Sequence, residues 1–124
     1  MARILVAEDE EALRAFVVRA LAEDGHETVA AADGAEALDA LSRAKEEFDL
    51  LLTDIRMPIM DGIALALAAA RDHPDLTILL MTGYADQRER AHGLDALIHD
   101  VIAKPFSLAE IRGAVAEALA SRTR

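Results

Sequence analysis

Three carboxylates stand at the ends of two apolar segments that the sequence predicts to be neighbouring strands. Glu8 and Asp9 follow the segment 3–7, and Asp54 ends the segment 48–54. Carboxylates gathered in this way repel one another unless a cation lies among them. Mg²⁺ prefers oxygen ligands and keeps some of its water, so a few carboxylates and one backbone carbonyl are enough to hold it. The pattern therefore predicts a magnesium site.

Two more polar residues follow later apolar segments. Thr82 ends the segment 76–82, and Lys104 follows the segment 97–103. A lysine ammonium and a threonine hydroxyl can each bind a phosphate oxygen, and Gly83 leaves room for the approach. A carboxylate acts as a nucleophile when a metal and a cation neutralise the incoming phosphoryl charge. Each residue alone has an ordinary interpretation as a cap, a turn or a strand residue, but together they predict that Asp54 is phosphorylated.

Strand-like and helix-like patterns alternate five times along the chain. Repeated β-α units of this size need right-handed crossovers and a parallel sheet with helices on both faces. We therefore predict one α/β domain over residues 1–124, doubly wound and five-stranded, with ligands at the C-terminal edge of the sheet. The predicted strands are 3–7, 27–31, 48–54, 76–82 and 97–103, and the predicted helices are 10–23, 34 to about 41, 62–71, 86–95 and one that follows Ser107.

Composition narrows the possible partners and location. The chain has 124 residues, no cysteine and a formal charge of −10. An acidic surface disfavours nucleic-acid binding, because phosphate contacts need a basic face. Neither a signal peptide nor an apolar run long enough to cross a membrane is apparent. We expect a cytoplasmic protein that has no nucleic-acid or membrane partner and no effector domain.

The motifs occur in the order and spacing of a known family. Over essentially its whole length the chain resembles a response-regulator receiver domain, the CheY-like fold, through Ala7-Glu8-Asp9-Glu10, Leu52-Thr53-Asp54, Met57-Pro58-Ile59-Met60-Asp61-Gly62, Met81-Thr82-Gly83 and Lys104-Pro105-Phe106. The resemblance implies the CheY/flavodoxin-like strand order 2-1-3-4-5 with five flanking helices.

The family also implies residue roles. Asp54 would take a phosphoryl group from a phosphohistidine of a histidine kinase or histidine phosphotransferase, with Mg²⁺ held by Glu8, Asp9, Asp54 and the backbone carbonyl of Arg56. Thr82 and Lys104 would bind the phosphoryl group. Lys104-Pro105 would be a cis peptide, which is accessible before proline. Such a chain is not an enzyme on other substrates and catalyses only its own phosphorylation and dephosphorylation.

One position departs from the chemotaxis-type receivers. They carry an aromatic residue or histidine three residues before the lysine, where this chain has Val101, and the aromatic residue near Thr82 is Tyr84. We expect Tyr84, Val101 and Pro105 to belong to a switch or partner surface made by the segment 86–95, the fifth strand and the last helix.

Val101 with Thr82-Gly83-Tyr84 is similar to the CpdR-type single-domain receivers of alphaproteobacterial cell-cycle control. That similarity implies a ClpXP-type protease as the downstream partner.

Two other functions fit part of the pattern. A phosphate-independent binding module could keep the fold, although the complete set of site residues argues against it. A phosphatase of the haloacid-dehalogenase type also uses an aspartate nucleophile with Mg²⁺. It needs a second aspartate two residues later, where this chain has Arg56.

Overall fold

Five parallel strands form one sheet in the computed structural model, which describes residues 2–45, 47–83, 91, 93–94 and 96–121. The spatial order is β2-β1-β3-β4-β5, which confirms the predicted order 2-1-3-4-5. The strands are β1 (Arg3–Ala7), β2 (Glu27–Ala31), β3 (Leu50–Asp54), β4 (Thr77–Thr82) and β5 (Asp100–Ala103).

Strand register brings the chemically interesting residues to one edge of the sheet. Ala7 pairs with Thr53, so Glu8 follows β1 beside the last residue of β3. On the other side of β3, Asp54 pairs with Met81. Thr82 pairs with Ala103, so Lys104 follows β5 beside the end of β4. Glu8, Asp54, Thr82 and Lys104 therefore share the C-terminal edge of the sheet, because the strands are parallel and their last residues lie side by side.

Helices cover both faces of the sheet. The described helices are α1 (Glu11–Glu23), α2 (Gly34–Arg43), α3 (Gly62–Asp72) and α4 (Leu108–Ser121). Helices α2 and α3 pack on the face that carries Leu5 and Leu51. Helices α1 and α4 pack on the opposite face, which carries Val6 and Leu52. None of the helices in the described part of the chain has the length and apolar character needed to cross a membrane.

The last helix begins with the capping box that the sequence predicts. The backbone N–H of Glu110 donates to the Ser107 hydroxyl at 3.0 Å, and the backbone N–H of Ser107 donates to the Glu110 carboxylate at 2.9 Å. The predicted stop after α1 is also confirmed, since Gly25 has φ +84 and donates to the carbonyl of Ala22.

Three predicted strands begin earlier than the observed ones, although β4 differs by one residue only and begins at Thr77 rather than at residue 76. β3 begins at Leu50 rather than at residue 48, and β5 begins at Asp100 rather than at residue 97. The backbone N–H groups of Leu97 and Ile98 both donate to the carbonyl of Leu94, which makes a turn where the apolar pattern predicted a strand. Most of the predicted helix 86–95 lies outside the described residues, so the fifth helix stays a prediction.

Candidate functional site

Three carboxylates meet at the C-terminal edge of the sheet, as the sequence predicts. Glu8, Asp9 and Asp54 each offer an oxygen, and these oxygens all lie within 4.8 Å of one another. Glu8 and Asp54 are buried, with 1% and 5% of their surface exposed, whereas Asp9 faces solvent. The cluster is thus open to water on the Asp9 side and closed beneath.

Lys104 connects two of these carboxylates. Its Nζ atom lies 2.8 Å from Oε1 of Glu8 and 3.1 Å from Oδ1 of Asp54. The Lys104 side chain is itself only 21% exposed. The peptide bond between Lys104 and Pro105 is cis, as the resemblance implied. The predicted cation therefore lies between the two buried acids.

Glu8 is held at four points. Its backbone N–H donates to the carbonyl of Ala31 at 3.1 Å, and its carbonyl accepts from Nη1 of Arg14 at 2.9 Å. Its second carboxylate oxygen accepts from the backbone N–H of Glu10 at 3.0 Å, while Lys104 binds the first. Arg14 was not among the predicted site residues. Its position six residues after Glu8, on the first turn of a helix, is the only sequence signal for this contact.

Burial and charge perturb the three central groups. Burial raises the pKa of Asp54 above its ordinary 3.8, and Lys104 only partly offsets this effect. Burial likewise raises the pKa of Glu8 above 4.5. Burial alone would lower the pKa of Lys104, but its bonds to Glu8 and Asp54 outweigh burial and raise it above 10.5. Burial therefore opposes the ionisation of both acids, and the single lysine offsets this effect only in part.

The turn after Asp54 packs directly on its backbone. Gly62 donates its N–H to the carbonyl of Ile55 at 2.7 Å. A Cβ atom on Gly62 would lie 2.0 Å from the carbonyl oxygen of Asp54, closer than any real contact. Only glycine permits this approach, so Gly62 sets the position of the phosphoacceptor candidate. The sequence contained Gly62 as a motif residue, but no pattern indicated which atom it would approach.

Thr82 and Gly83 lie beside Lys104. Thr82 is 3% exposed, and its carbonyl accepts from the backbone N–H of Lys104 at 2.8 Å. Among the described residues, a Cβ on Gly83 would meet the Cβ of Lys104, at 3.8 Å. No described residue therefore crowds the approach next to Thr82, and the phosphate-binding role of Thr82 stays a prediction.

The remaining predicted residues have different placements. Val101 pairs with Leu80 and packs, half-buried, against the core. Pro105 and Arg56 are exposed. The roles predicted for the Arg56 carbonyl, Val101 and Pro105 remain predictions. Tyr84 lies outside the described residues, so its role in a switch stays a prediction.

The donor set fits Mg²⁺. Carboxylate oxygens are the hard ligands that this ion prefers, and an exposed carboxylate beside two buried ones leaves room for retained water. When ionised, Glu8 and Asp54 carry two negative charges beside the single positive charge of Lys104, which favours the binding of a further cation. Glu8, Asp9 and Asp54 are the residues that would hold it.

Comparison with known proteins agrees with this geometry. Residues 4–116 match the response regulator receiver domain family. The chain is 41% identical to the response regulator receiver protein CpdR of Brucella abortus over 111 residues, which cover 90% of this chain and 91% of that protein. It is 38% identical to the response regulator MprA of Mycobacterium avium over 98% of this chain, but it spans only 52% of that protein.

A solved structure gives the same result. The response regulator TrrA of Thermotoga maritima, in complex with Mg²⁺-BeF, superposes with a TM-score of 0.84 at 30% identity. The superposition covers 95% of this chain and 99% of that one. The family match includes the three carboxylates, Thr82 and Lys104. This chain belongs to the response regulator receiver domain family.

Proposed function

We propose that Asp54 accepts a phosphoryl group from a phosphohistidine and that the phosphorylated chain presents a changed surface to a downstream protein. The observation that carries the proposal is the position of Lys104. Its Nζ touches both Asp54 and Glu8. The cation therefore lies beside the proposed nucleophile and also contacts Glu8, a second carboxylate of the candidate metal cluster.

The reaction breaks the N–P bond of the phosphohistidine and forms an O–P bond to a carboxylate oxygen of Asp54. The donor imidazole leaves with the electron pair of the broken bond and takes up a proton. Asp54 acts as a nucleophile when its carboxylate is ionised, because a protonated carboxyl group is a much weaker nucleophile. Burial raises the pKa of Asp54 in the metal-free protein, whereas Lys104 and a bound metal ion would both favour the ionised carboxylate.

The neighbouring groups bind and orient the phosphoryl oxygens. Lys104 lies 3.1 Å from Asp54 and exchanges part of this contact for one to the incoming phosphate. The Thr82 hydroxyl offers a second contact from the adjacent strand end. Mg²⁺, when bound by Glu8, Asp9 and Asp54, supplies charge neutralisation for the phosphoryl group.

Phosphorylation adds between one and two negative charges at the end of β3, by the general charge of a phosphoryl group. Lys104 at the end of β5 and Thr82 at the end of β4 respond to that charge. The surface next to them includes β5, α4 and the segment 86–95, and we propose that partner affinity changes there. Val101 and Pro105 would belong to this surface, with Tyr84 as a further candidate.

A protease-adaptor role is the most specific form of the proposal. It rests on the 41% identity with CpdR. In this form the downstream partner is a ClpXP-type protease and the donor is a histidine kinase or phosphotransferase, all in the cytoplasm. The chain catalyses only its own phosphorylation and the hydrolysis of its own acyl phosphate.

Incubation with acetyl phosphate and Mg²⁺, followed by intact-protein mass spectrometry, tests the phosphoacceptor role. We expect the mass of one phosphoryl group to appear on the wild type and not on Asp54→Asn. Asp75→Asn, which removes an exposed carboxylate at the opposite edge of the sheet, is the matched control and should be modified like the wild type. Modification that persists in Asp54→Asn would refute the assignment of the acceptor.

Amide NMR spectra with Mg²⁺ and beryllofluoride test the switch. Shifts that reach from Asp54 to β5 and α4 would support a phosphorylation-dependent surface. A wild type that shows neither spectral change nor modification would instead be a phosphate-independent binding module. Turnover of a chromogenic phosphate ester would favour the phosphatase alternative.

A further inference from the structure

A second concave site lies at the edge of the sheet opposite to Asp54. It is a pocket of about 310 Å³ between the C-terminal ends of α2 and α3 and the segments that lead into β3 and β4. Its described lining residues are Leu41, Ser42, Ala44, Glu47, Phe48, Asp72, His73, Pro74, Asp75 and Leu76. Neither the metal cluster nor Lys104 takes part in it.

The floor of the pocket is apolar and fixed. Leu41, Phe48 and Leu76 are at most 9% exposed. The guanidinium of Arg3 lies 4.3 Å from the centre of the Phe48 ring, which holds the ring from the side of β1. An apolar group placed on this floor would bury further apolar surface without a rearrangement of the core.

The rim is acidic. Glu47, Asp72 and Asp75 are exposed, and the described lining contains neither lysine nor arginine. Asp72 is paired with Arg71, but Glu47 and Asp75 form no hydrogen bond or ion pair with a described residue. The C-terminal ends of α2 and α3 add their partial negative charge to the same rim. His73 is the other titratable group in the lining, and it carries no negative charge.

We propose that this pocket binds a partner protein through a segment in which an apolar side chain stands next to arginine or lysine. The apolar side chain occupies the floor, and the cationic neighbours pair with Glu47 and Asp75. A free small molecule fits less well. Small-molecule sites enclose most of their ligand, whereas here the three acids and Pro74 are exposed and the rim is open. A segment of a partner protein suits an open rim better, because the rest of that partner shields the bound segment from water.

The site is separate from the phosphoacceptor. Phe48 precedes β3 and Asp54 ends it, so the two sites are separated by roughly 15–20 Å along the direction of that strand. A partner at the pocket therefore leaves the metal cluster accessible to a phosphodonor. Binding at the two sites can be measured independently. A negative result for peptide binding at the pocket would leave the proposed phosphorylation of Asp54 untouched, and the reverse also holds.

Titration of the ¹⁵N-labelled full chain, unphosphorylated and without Mg²⁺, tests the proposal. The probes are three short capped peptides of alternating arginine and leucine, arginine and serine, or glutamate and leucine. We expect shifts concentrated at residues 41–48 and 72–76 with the first peptide only. Equal binding of the arginine-serine peptide would show simple attraction to an acidic chain and would overturn the proposal, as would the absence of local shifts with the first.

Charge removal gives a second test. The double variant Glu47→Gln/Asp75→Asn should bind the arginine-leucine peptide about tenfold more weakly. The double variant Glu11→Gln/Glu23→Gln changes the net charge by the same amount on the opposite face and should bind like the wild type. All four side chains are exposed, so both variants should fold. Equal weakening in the two variants would contradict a specific pocket.

Discussion

The Nζ atom of Lys104 lies 2.8 Å from Glu8 and 3.1 Å from Asp54, although 96 residues separate Lys104 from Glu8 in the chain. This one ammonium group is the cation that the described structure places between two buried carboxylates. Its side chain is 21% exposed, so the interaction is only partly screened by water. The metal-free fold therefore depends on a residue whose proposed role is to bind phosphate.

Lys104→Met should destabilise the metal-free protein by about 2 kcal/mol, because it leaves two buried acids without their cation. Urea unfolding in EDTA measures the loss. Mg²⁺ should restore much of it, since the ion takes the place of the missing charge. Arg43→Met removes a cation from an exposed pair with Asp39 and should cost little in either buffer. Equal losses of unfolding free energy in the two variants would show that Lys104 stabilises the metal-free protein no more than an exposed ion pair does.

The stability of the metal-free protein should fall as pH rises above about 4. The pKa values of Glu8 and Asp54 are raised above 4.5 and 3.8, chiefly by burial. The folded protein therefore holds protons more tightly than the unfolded chain. This contribution is fully present below the ordinary pKa values and is lost as pH rises through the raised ones. Urea unfolding in EDTA between weakly acidic and neutral pH measures the slope.

Asp54→Asn should flatten this pH dependence and stabilise the metal-free fold at neutral pH by about 1 kcal/mol, because it removes one of the repelling charges. The pKa of Asp24 is lowered, chiefly by its hydrogen bond to Arg112, so its stabilising contribution is lost only as pH falls below 3.8. The two effects therefore occupy different pH windows. An unchanged slope in Asp54→Asn would show that other groups dominate.

Sequence patterns predicted the sheet and the membership of the site because both depend on regular features. Apolar runs mark buried strands, and parallel strands place their last residues at one edge, so Glu8, Asp54 and Lys104 had to meet there. Strand starts were less accurate. Leu97 is apolar but belongs to a turn, and hydrophobicity alone does not distinguish the two.

Contacts between distant parts of the backbone were not predictable in the same way. Nothing in the spacing indicates that Gly62 approaches the carbonyl of Asp54, or that Arg14 binds the carbonyl of Glu8. The pocket floored by Phe48 and Leu76 depends on how two loops pack, and loops carry no periodicity. The sequence located the residues, and tertiary packing determined which atoms touch.

Ile59→Asn should stabilise the protein by about 1 kcal/mol. Ile59 has φ +71, a conformation that a β-branched residue adopts only with strain, and its side chain is 83% exposed, so little packing is lost. Asparagine tolerates this backbone without the extra chain entropy of glycine. Thermal or urea unfolding measures the gain.

Leu67→Asn is the control for that variant. Leu67 is 45% exposed on α3, where the backbone is helical and asparagine is a poorer helix former. It should therefore destabilise the protein, opposite in sign to the change at Ile59. A loss of stability in Ile59→Asn would mean that the Ile59 side chain contributes contacts worth more than the backbone strain.

Gly62→Ala should cost about 2–4 kcal/mol and reduce phosphorylation of Asp54, because the new Cβ would lie 2.0 Å from the backbone oxygen of Asp54 and the backbone must move. Gly113→Ala is its matched control. Gly113 lies within α4, and no neighbouring atom of the described chain comes within 4 Å of an added Cβ, so alanine should stabilise that helix by about 1 kcal/mol. Urea unfolding gives both free energies, and acetyl phosphate labelling followed by mass spectrometry gives the effect on Asp54. If Gly62→Ala were as stable and as readily phosphorylated as Gly113→Ala, the close contact between Gly62 and Asp54 would have no part in positioning the acceptor.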